Sequence, residues 1–306
     1  MRTSRWFGWG LVALGTVVAT TALLGPWALD VIHYRTSPTT LNQVVGGDAA
    51  AFLVVAPVTV LVGVLALRRH PAAPVLALAP ALFVTYTYTQ LIVGEEYLRL
   101  PGNNERFFPL LLAGFVLAGA IAITAWRSAA PEELPPMSRR LARTMAVVLG
   151  LVAAFVVFGL HLSSLVDAVR DHPLRTEYVS SPTPFWLVKL MDLGIVVPVA
   201  AATAVGLWRG AAWAAKPAYA VIGGYTLLAA SVAGMGIQMY ANSDPDSSLA
   251  TAAAFVTFTL AFAAGSVTLY RPLFGRSSPD GSTDVVSQKG DNDERELSGA
   301  ARRPPR

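Results

Sequence analysis

The chain has 306 residues, of which 54% are hydrophobic and only 14% charged, with a mean hydropathy of +0.52 and a net charge of +4. About a quarter of the residues of a soluble domain are charged, so this composition excludes an ordinary water-soluble fold. The basic residues sit at the ends of apolar runs rather than in one patch, which argues against nucleic acid as a partner, and the absence of cysteine excludes disulfides, thiolate nucleophiles and cysteine-held metals.

Eight apolar runs follow one another, at about 8–30, 49–67, 72–94, 107–126, 144–166, 185–208, 218–240 and 249–270. Each is close to the roughly 20 residues a helix needs to cross the hydrocarbon layer. In lipid every backbone group must be satisfied within its own segment, so the runs are expected to be helices. The expected fold is all-α, a polytopic transmembrane helix bundle over 1–271. The first run starts like a signal peptide but exceeds a signal core and is read as a retained span. The stretch Leu67 to Pro74, with Arg68, Arg69 and Pro71, reads as a tight turn between spans two and three. From about Ser277 the chain is polar and poor in apolar residues. Residues 272–306 are therefore expected to be a disordered cytoplasmic tail, with protein docking as its alternative use.

Orientation follows from the basic residues. With the N-terminus in the cytoplasm, the cytoplasmic segments hold 17 Lys and Arg and the external ones 6. That asymmetry places both termini inside, in a bacterial plasma membrane. The seven tryptophans fall near span ends, as headgroup-level rings do. Small residues recur at four-residue spacing in Gly114–Ala118–Ala122, Ala230–Gly234 and Ala261–Gly265, a pattern that lets helices approach closely.

An internal duplication is also expected. PVTVLVGVLALR, from Pro57 to Arg68 in span two, matches PVAAATAVGLWR, from Pro198 to Arg209 in span six. Tyr86-Thr87 in span three has a counterpart in Tyr225-Thr226 in span seven. Four spans separate each pair, so the halves, 1–126 and 140–271, would be parallel repeats about an axis along the membrane normal.

No nucleotide loop, dinucleotide fingerprint, zinc-protease or nucleophile-elbow motif is present, and no cofactor is called for. The acids gather on the expected outer side: Asp30, Asp48, Glu95, Glu96, Glu105, Asp167, Asp171, Glu177, Asp192, Asp244 and Asp246, with His33, His161 and His172. The simplest reading is solvated external loops; the sharper one is a site for a cation, a basic solute or protons. Asp30 and His33 are three apart and would be neighbours on span one. If span five continues past Val166, His161, Ser164, Asp171 and His172 share a stripe. Tyr86 and Gln90, four apart in span three, would face into the bundle.

Asp192 is the foremost candidate. Thr183 and Pro184 read as the N-cap and first residue of span six, placing Asp192 beyond the first turn and the help of the helix dipole. Lys189 can snorkel outward, or pair with Asp192. Pro198, like Pro57, is expected to break its helix, freeing the carbonyl of Gly194 beside Asp192. The candidate binding residues are thus Asp192, Tyr86, Gln90, His161, Asp30 and His33.

The string MDLGIVVPVAAATAVGLWRGAAW, with TYTY in span three, resembles uncharacterised eight-span integral membrane proteins of actinobacterial type. The resemblance covers the spans, not the tail, and implies no activity. Three readings follow. One is a small-solute or ion transporter, or a membrane-embedded binding protein, with a polar site facing outward. Another is an accessory or scaffolding membrane protein. The last is a lipid-acting enzyme using Asp/His pairs. Lipid and an unknown small solute or cation are the expected partners.

Overall fold

The computed structural model describes residues 4–275; the expected tail starts at 272, but 272–274 still belong to the last helix, and 276–306 lie outside the described residues. Eight helical spans run Arg5–Leu24, Pro38–Leu67, Ala73–Val93, Asn104–Ser128, Arg139–Ala168, Pro182–Arg209, Ala212–Ala241 and Leu249–Phe274, each long and apolar enough to cross a membrane. No strand occurs among the described residues. The chain is a multi-pass membrane protein with an all-α bundle fold.

Several boundaries differ from the sequence reading, two of them for evident local reasons. Span one stops at Leu24 rather than near residue 30, because Gly25 is extended and precedes Pro26. Span two begins at Pro38, eleven residues early. Ser37 caps it by accepting from the Thr40 backbone N–H, and Pro38 takes the first helical position. The polar stretch TTLNQ hid this start.

The loops at the acidic end are tied to one another. The Asn103 side chain accepts from the His33 backbone N–H and donates to the Val31 carbonyl. Arg35 forms a two-pronged pair with Glu105, at 2.6 and 3.0 Å, and donates to the Leu100 carbonyl. The backbone N–H of Thr183 donates to Glu96 at 2.7 Å, and Asn42 donates to Asp244 at 2.9 Å. At the opposite, basic end Lys216 donates to the Trp126 carbonyl and lies over its ring, while Arg143 lies over Trp208. Successive spans therefore alternate in direction.

Two apolar cores form. Leu11, Leu14, Val55, Leu78, Phe83 and Leu111, from spans one to four, lie in the first. Leu149, Leu207, Ile222 and Leu269, from spans five to eight, lie in the second. Span seven lends Ala220 and Leu227 to the first core, and span three lends Ala72 and Val75, at its leading end, to the second. Spans three and seven are the most covered, at 50% and 56% of their apolar windows.

Close approach relies on glycine. A Cβ on Gly46 in span two would meet the carbonyl of Gly234 in span seven, and a Cβ on Gly234 would meet the carbonyl of Gly46. Gly114 lies flat against the Tyr88 ring. Gly265 meets nothing, so the Ala261–Gly265 pair marks no contact within the chain.

The expected helix breaks at Pro57 and Pro198 are absent. Both spans continue through a single π-turn, Ala51–Val55 and Asp192–Val196, each ending two residues before the proline. A proline lacks a donor and crowds the carbonyl four residues back, and the wider turn absorbs both demands. A third π-turn, Phe155–His161, lies in span five.

Gly46→Ala forces its methyl onto a backbone carbonyl that cannot step aside, at an overpacking cost of about 1–3 kcal/mol. Thermal melts in detergent should show a clear loss of stability for Gly46→Ala and none for Gly265→Ala.

Candidate functional site

Asp192 opens the π-turn of span six, ten residues below the helix start at Pro182, a depth of about 15 Å. His161 closes the π-turn of span five. Tyr86 comes from the acidic half of span three. The three side chains converge: Tyr86 donates its hydroxyl to Asp192 Oδ1 at 2.7 Å, and His161 Nε2 lies 2.8 Å from Asp192 Oδ2. The His161 and Asp192 side chains are 7% and 15% exposed. Each carboxylate oxygen has a partner, which a charge so deep in hydrocarbon requires.

The chemistry of the cluster is constrained. An ionised carboxylate only accepts, and against one the His161 Nε2 carries the hydrogen, in the neutral imidazole or in the cation. Its other nitrogen, Nδ1, is buried with no hydrogen-bond partner. That nitrogen is a lone pair when His161 is neutral and an unsatisfied donor when it is charged. Tyr225, from span seven, donates to the carbonyl of Val196 at 2.6 Å and closes the far side of the same π-turn. The carbonyl that receives a side-chain donor is therefore that of Val196, not that of Gly194.

The other expected residues go elsewhere. Gln90 lies against the Tyr86 hydroxyl but lines a separate cavity. Asp30 and His33 are not on span one. They sit in the turn after it, Asp30 with φ of 49°, and the His33 ring bonds the Asp30 carbonyl. Both are exposed and join no other candidate. Span five ends at Ala168, so Asp171 and His172 fall off the stripe of His161 and Ser164. Asp167 instead accepts from the backbone N–H groups of Leu174 and Arg175, shaping the turn.

Lys189 neither reaches solvent nor pairs with Asp192. It is buried, its ammonium 3.1 Å from Glu177 on the short helix Thr176–Ser180 and 3.6 Å from the Phe185 ring centre. Span six starts at Pro182 after Ser181, so Thr183 is already helical.

Several acids read as solvated are buried, among them Asp48, Glu95, Glu96, Asp167 and Asp244. Asp48 could have been found from sequence, since a start at Ser37-Pro38 puts it ten residues inside span two. Tyr225 was visible only as the counterpart of Tyr86. No protein-family model, curated protein or solved structure matches the chain.

Glu95 lies in the loop after span three. Burial is the main cause that raises its pKa from 4.5 to about 7, and Glu96 adds to this, against the Arg35 backbone N–H and guanidinium. Tyr34 and Tyr97 also face it. Between pH 4.5 and 7 the folded chain holds a proton that the unfolded chain has released, so stability falls as pH rises through that window. Melting temperatures measured from pH 5 to about pH 8 should decline for the native chain. The decline should be shallower in Glu95→Gln, which stays neutral throughout.

Proposed function

We propose that this multi-pass membrane protein is a transporter, or a membrane-embedded binding protein, for a small solute or ion, with the Asp192, His161 and Tyr86 cluster as its ionisable site. The observation that carries this reading is a carboxylate, an imidazole and a phenol from three different spans, meeting inside the bundle beside two π-turns. Ionisable groups at such depth are costly and are retained where they bind or pass charge. The unpartnered His161 Nδ1 supports it further, because a purely structural pair would satisfy both ring nitrogens.

Two further points support an arrangement in halves. The π-turn before Pro57 and that before Pro198 stand in the same register, and each half has its own core with one span lent to the other. We read these as parallel repeats, with spans three and seven along the interface. The acidic end is read as external and the basic end as cytoplasmic.

A second reading has one observation in its favour. The 2.8 Å contact between His161 and Asp192 suits acid–base work, and Leu190 and Ile195 on the same span are exposed on the lipid-facing side. An enzyme acting on lipid would use that contact through a lateral opening.

The test is a thermal-shift screen of inorganic ions and small polar solutes on the purified protein, repeated with Asp192→Asn. The variant keeps the shape and loses the charge, so a ligand held at this site should lose about tenfold or more in apparent affinity. A shift that survives unchanged removes Asp192 as the site. Turnover of phospholipid by the native chain, lost in Asp192→Asn, would select the enzyme reading.

Orientation has its own test, helped by the lack of native cysteine. Leu98→Cys, in a fully exposed acidic-end position, should react with an impermeant maleimide in intact cells, and Glu132→Cys at the basic end should not. The reverse result inverts the topology.

A further inference from the structure

Asp48 repeats, in the first half, the situation of Asp192 in the second. Each lies ten residues below a helix start at a Ser-Pro pair, Ser37-Pro38 and Ser181-Pro182, although only the Ser37 side chain caps its helix. The resemblance ends at the partners. Asp192 has Tyr86 and His161, whereas Asp48 is 7% exposed and its Oδ2 has no hydrogen-bond partner. Among the described residues no Lys, Arg or His forms an ion pair with it. Oδ2 lies tight against Gly25, where a Cβ would collide with the carboxylate. The absence of a side chain at that turn makes room for the acid.

Asp48 is one of the residues lining a cavity of about 90 Å³ between spans one, two, three and seven. Gln43, Thr87, Gln90 and Ser231 supply oxygen acceptors on its walls, and Phe83 and Tyr88 supply aromatic surface. Toward the acidic end, Tyr34 is buried beside Asp48 and Glu95. The Tyr34 hydroxyl, Thr36 Oγ1 and Glu95 Oε2 are also buried without partners. Of these oxygens only that of Asp48 belongs to a residue lining the cavity; Tyr34 and Glu95 lie nearby, and the Arg35 guanidinium faces Glu95. An isolated buried carboxylate costs several kcal/mol, which a bound cation offsets.

We propose that Asp48 and this cavity form a second binding site, for a monovalent cation. One carboxylate surrounded by hydroxyl and amide oxygens matches a single positive charge. A divalent ion asks for more carboxylates, and no group of three His, Cys, Asp or Glu gathers anywhere among the described residues. The volume is that of about three water molecules, enough for sodium with residual water or for a small primary ammonium. Both share the same needs, a full positive charge and oxygen acceptors. The proposal rests on Asp48 and its cavity and stands apart from the reading of Asp192.

The test is the melting temperature of the full chain in nanodiscs at constant ionic strength, with N-methylglucamine chloride replaced stepwise by sodium chloride or by methylammonium chloride. A saturable rise with at least one of the two is expected. Sodium alone identifies an inorganic ion site, methylammonium alone an organic ammonium site, and both a site selective only for charge. Asp48→Asn should weaken the apparent affinity about tenfold or more. If that variant does not fold, Gln43→Leu and Ser231→Ala read the cavity walls, and each should weaken affinity several-fold. No saturable rise with either cation overturns the proposal. So does a rise undiminished in Asp48→Asn, or undiminished in both wall variants. A rise lost in Asp192→Asn but kept in Asp48→Asn assigns the cation to the other site and overturns it as well.

Discussion

The bundle depends on how a carboxylate is kept inside hydrocarbon. Lipid offers no hydrogen bonds, so the Asp192 carboxylate must be answered by the protein itself. Tyr86 answers one oxygen and His161 the other, from spans three and five. One acid within the bundle therefore links three helices that are far apart in sequence. Removing a partner would leave an uncompensated charge, which costs far more than the net worth of the pair. The requirement reaches further, because the side chains must be aimed as well as present. Asp192 starts one π-turn and His161 ends another, and such turns often mark functional positions in otherwise regular helices.

The prolines explain part of that aim. Pro198 makes a regular α-ladder impossible at the carbonyl four residues before it, and the π-turn ahead of it absorbs the misfit without breaking the span. The same device ahead of Pro57 serves a different neighbourhood, since Ala51 stands where the π-turn of span six has Asp192. Span five reaches a π-turn with no proline near it, so its distortion has another origin. Tertiary contact is one source, and the Phe155 ring packs on Phe258 of span eight at the start of this turn.

What was legible in the sequence follows the range of each interaction. The eight spans were legible because hydropathy is a local, additive property over about 20 residues. The meeting of Asp192, His161 and Tyr86 was half legible, since a polar side chain in an apolar run must look inward, yet nothing local says which partner it meets. The π-turns were hidden, because one extra residue in the hydrogen-bond ladder leaves the side-chain pattern almost unchanged. The burial of Glu96 was hidden for another reason. Its oxygen accepts from Thr183, 87 positions away, so the loop composition alone reads as solvated. Lys189 was misread similarly, as snorkelling assumes open water above the residue and Glu177 covers it instead.

The two intramembrane acids separate the demands that a membrane interior makes. At Asp192 the protein supplies the hydrogen-bond partners itself, and only one ring nitrogen remains unanswered. At Asp48 one oxygen has no partner, and the residue lines a cavity with polar side chains on its walls. Span three stands between the two. Tyr86 turns to Asp192, while Gln90, one turn nearer the acidic end, lines the Asp48 cavity and lies against the Tyr86 hydroxyl. The Tyr86 hydroxyl can keep its bond to Asp192 only while that carboxylate has an oxygen to accept it. The alternation TYTYTQ in span three thus has a physical reason, since a single turn of helix must serve polar groups on two sides at once.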